Sequence, residues 1–266
     1  MSKLLIVLIA ALAGCAQPLK PKDLSDNLHW VDLSHSFDRS TLYWPNNQNG
    51  FEHHTDADGE TALGYYYSSY SICAPEHGGT HLDAPIHFAK HKMTVDKLPL
   101  SSLTGEAVKI DVSAKALANR DYQISIQDIL DWENAHGTMP DNMIVLFRTG
   151  YEQYYPDRKN YFGTAEIGQE AIPLLHFPGI LPVTTQWLVD NRHIKALGLD
   201  TPSLDYGQSK EFKTHRILLG RDKPGFENLT NLKLLPATGF YVVALPMKIA
   251  KGSGGPLRII AGMFSE

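Results

Sequence analysis

Four side chains that can bind metal ions lie within eleven residues of one another, at His77, His81, Asp83 and His87. Imidazole nitrogen and carboxylate oxygen are ligands that zinc and manganese accept, and a carboxylate can bridge two ions. Glycines at positions 78 and 79 and Pro85 argue against a continuous helix, so we expect the ligands on a loop that leaves a preceding strand. The segment predicts a site for one or two divalent ions, zinc or manganese.

Any single histidine among the twelve in the chain would be interpreted as an ordinary surface or core residue. Four donors in so short a segment favour a metal site instead. The other histidines have no comparable companions, although His53 and His54 are weak candidates for the rim of a pocket. Farther along, His215 and Glu227 stand twelve residues apart. Taken alone, that pair would be interpreted as a solvated histidine and a helix-capping glutamate.

The segment 77–87 resembles the signature His-x-Gly-Thr-His-x-Asp-x-Pro-x-His of the cyclase-like metal-dependent hydrolases. That family includes bacterial kynurenine formamidases and isatin hydrolases. The resemblance runs from about Leu28 to Met263 and includes Asp200-Thr-Pro-Ser, Phe226-Glu-Asn-Leu and Leu245-Pro-Met-Lys-Ile. It implies an α/β protein with the mixed-sheet swivelling β/β/α fold of that family, and relatives of this kind also lead us to expect a homo-oligomer.

The resemblance also implies a role for each matching residue. His77 and His81 would bind one metal ion, and His215 would bind a second. Asp83 and Glu227 would bridge the two ions. His87 would donate and accept the proton, while Trp44 would contact the substrate.

Together, these roles predict hydrolysis of a C–N amide or lactam bond in a small, aromatic substrate by metal-activated water, with His87 moving the proton. The segments Asp205–Ser209 and around His176 look more like isatin hydrolases than formamidases. The alternative is a non-catalytic lipoprotein that binds metal or a small ligand on the same fold. Tyr65, Tyr66 and Tyr67 could line an aromatic pocket, although ordinary sheet packing is the simpler explanation.

Strand-like apolar runs recur along the chain, whereas helical patterns are fewer. We expect one helix after Ser125, where Asp128 would complete a cap at its start and Gly137 would end it. We expect a second helix from about Val183 to Arg192. The expected strands are His29 to Leu33, Tyr65 to Cys73, Val108 to Val112, Met143 to Phe147, Ile194 to Leu199, Phe240 to Leu245 and Leu257 to Met263. Because strands outnumber helices and do not alternate strictly with them, the pattern favours a mixed α/β fold. We expect residues 28–266 to form one domain.

The N-terminus has the pattern of a signal peptide, because Lys3 precedes an apolar run from Leu4 to Ala13 and then Gly14-Cys15. The run is too short for a bilayer span of about 20 residues. The end of this run with Gly14-Cys15 resembles a bacterial lipobox. The resemblance predicts a signal peptide over 1–14 and a lipid anchor at Cys15 of an exported lipoprotein, followed by a polar tether over 15–27. A plain secretory signal cut near Ala16, or a cysteine that merely lies in an apolar stretch, are the alternatives.

The composition limits the remaining partners. A net charge of -5 leaves no basic excess to neutralise phosphates, so nucleic acid is not an expected partner. With Cys15 lipidated, Cys73 would have no intrachain partner, and we expect it to be a buried structural thiol. Gly252-Ser-Gly-Gly-Pro256 predicts a turn between two strands, with anion binding by its backbone as the weaker alternative.

Overall fold

The computed structural model describes residues 28–47 and 49–264. The expected signal peptide, tether and Cys15 lie outside the described residues and remain predictions. Within the described ranges, none of the helices is long and apolar enough to cross a membrane.

The described residues form twelve strands and six α-helices, joined by short 3₁₀ turns. The strands are β1 (Leu28–Asp32), β2 (Glu52–Glu60), β3 (Tyr66–Cys73), β4 (His81–Asp83), β5 (Thr104–Asp111), β6 (Gln123–Ile124), β7 (Ile144–Arg148), β8 (Gly179–Ile180), β9 (Ala196–Leu199), β10 (Gly225–Glu227), β11 (Phe240–Pro246) and β12 (Gly254–Phe264). The helices are α1 (Leu100–Leu103), α2 (Ser113–Ala118), α3 (Ile126–His136), α4 (Arg158–Phe162), α5 (Pro182–Asn191) and α6 (Lys213–Gly220).

Eight strands form the main sheet in the order β1-β12-β11-β5-β7-β9-β10-β4, and β4 also pairs with β12. That last pairing closes the sheet into a barrel. Strands β5, β7, β9 and β10 run parallel to one another, while the pairs that involve β1, β4, β11 and β12 are antiparallel. The expected α/β class and mixed sheet are therefore confirmed.

The main sheet separates two apolar clusters of the core, because alternate residues of a strand point to opposite faces. In β7, Ile144 and Leu146 belong to the apolar cluster that also holds Leu82 and Phe226. Val145 and Phe147 belong to a second cluster, which includes the buried faces of α3 and α5. These four side chains are all buried, which explains why β7 is apolar from residue 144 to residue 147 rather than alternating; Arg148, at its end, is half-buried.

The expected strands are all present, with ends that shift by up to four residues, and both expected helices are confirmed. The backbone N–H of Ser125 donates to Asp128 Oδ2 at 2.7 Å, and Gly137 ends α3 with a positive φ of 90°. Asp128 thus pairs a backbone N–H at the start of α3, and Gly137 pairs a backbone carbonyl at its end by donating its N–H to Glu133 O. Such groups have no partner within the helix itself.

Strands β2 and β3 form a separate two-stranded hairpin that is exposed along most of its length. The expectation of a buried thiol is wrong, since Cys73 is exposed at the end of β3. Tyr65, Tyr66 and Tyr67 are each more than half exposed and do not line the cavity described below. His53 and His54 lie on β2 and are not among the cavity residues either.

Candidate metal centre

The short strand β4 carries His81 and Asp83, and it lies between β10 and β12. In the register, His81 faces Glu227 of β10, and Asp83 faces Gly225 of β10 and Gly254 of β12. Residues two apart on a strand project to the same side, so this pairing places both β4 side chains beside Glu227. The expectation that all of the ligands lie on a loop is wrong for His81 and Asp83.

The loop before β4 needs both of its glycines. A Cβ atom on Gly78 would lie 2.0 Å from Cδ1 of Tyr43, and one on Gly79 would lie 2.7 Å from Cε1 of Phe37. Gly79 also has a φ of 55°, in the left-handed region that favours glycine. Its N–H donates to the carbonyl of Leu42, which fixes the loop that leads into β4.

His81 presents Nε2 to the two carboxylates of the cluster. Its Nδ1 lies 3.0 Å from the carbonyl oxygen of Gly79. Because a carbonyl only accepts hydrogen bonds, Nδ1 carries the proton, and Nε2 of the neutral ring has a free lone pair. That atom lies 3.3 Å from Asp83 Oδ1 and 3.4 Å from Glu227 Oε2.

His215, on α6, is arranged in the same way from the opposite direction. Its Nδ1 lies 2.6 Å from Asp205 Oδ2, which leaves Nε2 at 2.9 Å from Glu227 Oε1 and 3.2 Å from Asp83 Oδ2. The Asp205 carboxylate also accepts the backbone N–H groups of Thr214 and His215, so it holds the start of α6 as well as the ring.

His77 completes the cluster from the loop after the hairpin. Its Nδ1 lies 2.7 Å from Asp83 Oδ1, and its Nε2 lies 2.8 Å from Ser253 Oγ. The other Asp83 oxygen, Oδ2, is buried and accepts no well-aligned hydrogen bond within the described residues, although His215 Nε2 lies 3.2 Å away. The structure thus brings together the five residues for which the sequence predicted metal binding.

This donor set fits a divalent cation. Imidazole nitrogens and two carboxylates face one another across 2.7 to 3.4 Å. Such an arrangement of acceptors is repulsive unless protons or a metal ion lie between them. Two groups of ligand atoms are close enough to share an ion, and both contain Asp83: His77, Asp83 and His87, and His81, Asp83 and Glu227.

The charges within the cluster shift pKa values strongly. Burial by itself lowers the pKa of His215, but the carboxylates of Asp205, Asp83 and Glu227 beside the ring outweigh burial and hold this pKa well above its usual value. Burial alone raises the pKa of Asp83, yet the rings of His215 and His77 beside the carboxylate hold this pKa well below its usual range. Protons therefore balance the charge of the carboxylates when no metal is bound, and metal binding competes with those protons.

His87 lies in the 3₁₀ turn Pro85–His87 directly after β4. Its ring stacks on His77 with centroids 3.8 Å apart, and burial lowers its pKa to about 4. The ring is therefore neutral at neutral pH and can accept a proton. Its proximity to His77 and Asp83 also makes it a possible third ligand of one ion, in addition to the predicted role in proton transfer.

These residues lie in the wall of a cavity of about 230 Å³. Its apolar wall is aromatic and includes Trp44, Phe88, Phe162 and Phe212. Trp44 contacts Phe162 and Phe212 edge to face, with centroids 6.4 and 6.1 Å apart. The expected substrate-contacting tryptophan therefore lies in the same cavity as the candidate metal ligands.

Asp205, Ser253 and Phe212 were not predicted from the sequence as site residues. Asp205 belongs to a segment whose likeness to isatin hydrolases was noted, so a signal existed without an assigned role. Ser253 lies in the Gly/Pro-rich run interpreted as a turn. Phe212 adopts a left-handed conformation with a φ of 48°, which nothing in its local sequence signals.

Comparison with known proteins identifies relatives along nearly the whole fold. The family model described as "Putative cyclase" matches residues 31–206. Isatin hydrolase from Roseibium aggregatum is 29% identical over 194 residues, which cover 70% of this chain and 71% of the relative. Kynurenine formamidase from Salinibacter ruber is 30% identical over 232 residues, which cover 86% of this chain and 95% of the relative.

Solved structures agree with these matches. Isatin hydrolase A from Labrenzia aggregata, bound to benzyl benzoate, has a TM-score of 0.81 at 30% identity and covers 91% of this chain and 96% of its own. An isatin hydrolase bound to the product analogue thioisatinate has a TM-score of 0.82 at 27% identity, with 91% and 95% covered. The resemblance expected from residues 77–87 is confirmed, and the chain belongs to the cyclase family, which includes hydrolases.

Proposed function

We propose that the protein is a metal-dependent hydrolase that cleaves a C–N amide or lactam bond in a small, planar aromatic substrate. The observation that carries this proposal is the convergence of imidazole lone pairs and two buried carboxylates in a cavity with aromatic walls. The named relatives, isatin hydrolase and kynurenine formamidase, support hydrolysis as the reaction class.

His77, His81, Asp83, His215 and Glu227 would hold one or two divalent ions, zinc or manganese. When bound, such an ion lowers the pKa of water to roughly 7 and polarises a carbonyl oxygen. Ser253, Gly79 and Asp205 hold the imidazole rings in place, so the ligand atoms are oriented before an ion binds.

His87 would take the proton from the attacking water and return it to the leaving nitrogen. Burial keeps its imidazole neutral at neutral pH, and its stacking on His77 places it at the edge of the ligand cluster. Positioned acid-base groups of this kind contribute about 10² to 10⁴ in rate.

The aromatic wall favours a flat substrate. Trp44, Phe88 and Phe212 line a cavity of about 230 Å³, which suits one bicyclic or monocyclic aryl group. A solved relative binds thioisatinate, a product analogue, which supports an aryl lactam such as isatin over an aliphatic amide.

A hydrolysis screen with metal analysis tests this proposal. The purified protein is stripped with a chelator, reloaded with zinc or manganese, and assayed with isatin, N-formylkynurenine and cyclic imides. Metal content is measured on the same samples. We expect hydrolysis to disappear with the metal and to return with it. Hydrolysis that survives complete metal removal would contradict the proposal, and stoichiometric metal without turnover of any substrate would favour a non-catalytic binding protein.

We also propose export and lipid anchoring through Cys15, which lies outside the described residues. The support is the sequence pattern of residues 1–15 alone. Expression of the full chain in a bacterial host should place it in the membrane fraction, and Cys15→Ser should release it into the soluble exported fraction. Recovery of both proteins in the cytoplasm would show that the segment is not a signal peptide.

A further inference from the structure

One of the candidate ligands, His77, is hydrogen bonded to its supporting residue through Nε2, whereas His81 and His215 are supported through Nδ1. Ser253 Oγ lies 2.8 Å from His77 Nε2 and donates to Glu76 Oε2 at 2.6 Å. The backbone N–H of Ser253 donates to the same carboxylate oxygen at 2.8 Å. We propose that Glu76 and Ser253 are positioning residues that fix the tautomer of His77, so that Nδ1 is the metal-binding atom. This inference rests on the proposed metal site.

The positions of the protons follow from the partners. The Glu76 carboxylate accepts only, so the single hydroxyl proton of Ser253 is directed to Glu76. Ser253 Oγ must then accept a hydrogen bond from His77, which places a proton on Nε2. In the metal-free protein, Nδ1 hydrogen bonds to Asp83 Oδ1, 2.7 Å away, and a metal ion would displace the Nδ1 proton and leave the Nδ1 lone pair of the neutral ring directed into the cluster. A ring that carried its proton on Nδ1 would present that proton, rather than a lone pair, to the cluster.

The other two histidines show the opposite arrangement. His81 and His215 donate through Nδ1, to Gly79 O and Asp205 respectively, and present Nε2 to the carboxylates. His77 alone among the three presents Nδ1. A mixed set of tautomers requires a separate partner for each ring, and Ser253 is the partner that distinguishes His77.

The backbone around Ser253 is built for this close approach. A Cβ on Gly254 would lie 2.6 Å from His77 Cε1 and 2.4 Å from the carbonyl oxygen of Leu82. A Cβ on Gly252 would lie 2.8 Å from Glu76 Oε1. Glycines on both sides therefore let the chain pack against His77 and Glu76, and the carbonyl of Ser253 accepts the N–H of Ala84 just beyond β4. A turn alone would not require these contacts.

The test measures metal affinity without substrate. Ser253→Ala removes the acceptor and leaves the His77 ring free to change tautomer. Using Zn²⁺ competition with a chromophoric chelator, we expect affinity to fall about 10- to 100-fold. With Co²⁺ as a probe, the visible absorption bands should change shape, since they report the ligand set. Ser253→Thr keeps the hydroxyl and should restore affinity to within a few-fold of wild type.

Ser71→Ala is the matched control. Ser71 also donates to a carboxylate, Asp56 Oδ2 at 2.6 Å, but on the exposed hairpin, so its loss should leave metal affinity unchanged. Thermal unfolding of the metal-free proteins checks that Ser253→Ala folds like wild type. Equal affinity for wild type and a folded Ser253→Ala would overturn the inference.

Wild-type protein provides a second readout if Ser253→Ala does not fold. In the zinc-loaded protein with ¹⁵N-labelled histidine, NMR should show a proton on Nε2 of His77 and on Nδ1 of His81 and His215. A proton on Nδ1 of His77 would overturn the inference. Wild-type protein that binds no metal would instead end the proposed function, so the two failures are distinguishable.

Discussion

Strand β4, which carries His81 and Asp83 in the cavity wall, and the β2–β3 hairpin that precedes it are close in sequence. They differ in length, burial and pairing. Strand β4 has three residues, all buried, with a neighbouring strand on each side. Strands β2 and β3 have nine and eight residues, mostly exposed, and within residues 28–47 and 49–264 they pair only with each other. Strand length and aromatic content therefore do not indicate where the metal ligands lie. Pairing of a strand with a neighbour on each side does, because it fixes the positions of the side chains on that strand.

The polar groups of the two regions differ in the same way. On the hairpin, Asp58 accepts a hydrogen bond from Tyr70 at 3.1 Å, and Asp56 accepts one from Ser71, so each carboxylate has a donor. In the ligand cluster, Asp83 and Glu227 face the Nε2 atoms of His81 and His215, and Asp83 Oδ2 accepts no well-aligned hydrogen bond within the described residues. A carboxylate with its donors in place indicates a structural role, whereas a buried carboxylate without them indicates a site that can bind a cation.

The largest effect is expected for Asp83→Ala. Asp83 belongs to both groups of candidate ligand atoms, so its loss should remove bound metal and hydrolysis together. Metal analysis and the substrate assay measure this result. Asp58→Ala, on the hairpin, should change neither, and an Asp83→Ala protein that kept its metal would break the proposed contrast between the two carboxylates.

His87→Ala should separate metal binding from turnover. If His87 moves the proton, the rate falls about 10² to 10⁴ while most of the metal remains. His54→Ala, whose ring is exposed and beside Glu52, is the control and should behave like wild type. Loss of metal in parallel with the rate would show that His87 is a ligand instead.

Asp205→Asn should weaken metal binding about 10- to 100-fold, because a charged partner of His215 Nδ1 becomes a neutral amide. Titration with zinc measures the change. Asp56→Asn removes a hairpin carboxylate charge and provides the comparison. Similar affinities for the two variants would mean that support of the His215 ring contributes nothing to the site.

The smallest expected effect contrasts two tyrosines. Tyr161 is fully buried and donates to Asn228 Oδ1 at 2.9 Å, so Tyr161→Phe should lower the free energy of unfolding by about 1 to 3 kcal/mol. Tyr70→Phe, on the exposed hairpin, should change it by less than about 0.5 kcal/mol. Denaturant unfolding of both variants checks this, and equal losses would contradict the structural difference between the regions.

The ligand set and the family could be predicted because segment 77–87 is a dense local pattern. The supports of the ligands could not. Ser253 is 176 residues from His77, and Asp205 lies in the irregular segment before the helix that carries His215, so neither contact leaves a local periodic signal. Cys73 was misjudged because an apolar strand pattern says nothing about whether a second layer covers the strand. The hairpin lacks that layer.

The closure of the barrel by β12 also sets an order of events during folding. The ligands at 77–83 are synthesised early, but β4 has its neighbours only after residues 225–227 and 254–256 are present. A growing chain therefore carries exposed histidines and an incomplete ligand set for most of its synthesis. Contacts of such long sequence separation form slowly. Acquisition of metal should thus be a late step, and fragments that end before Ser253 should retain ions poorly.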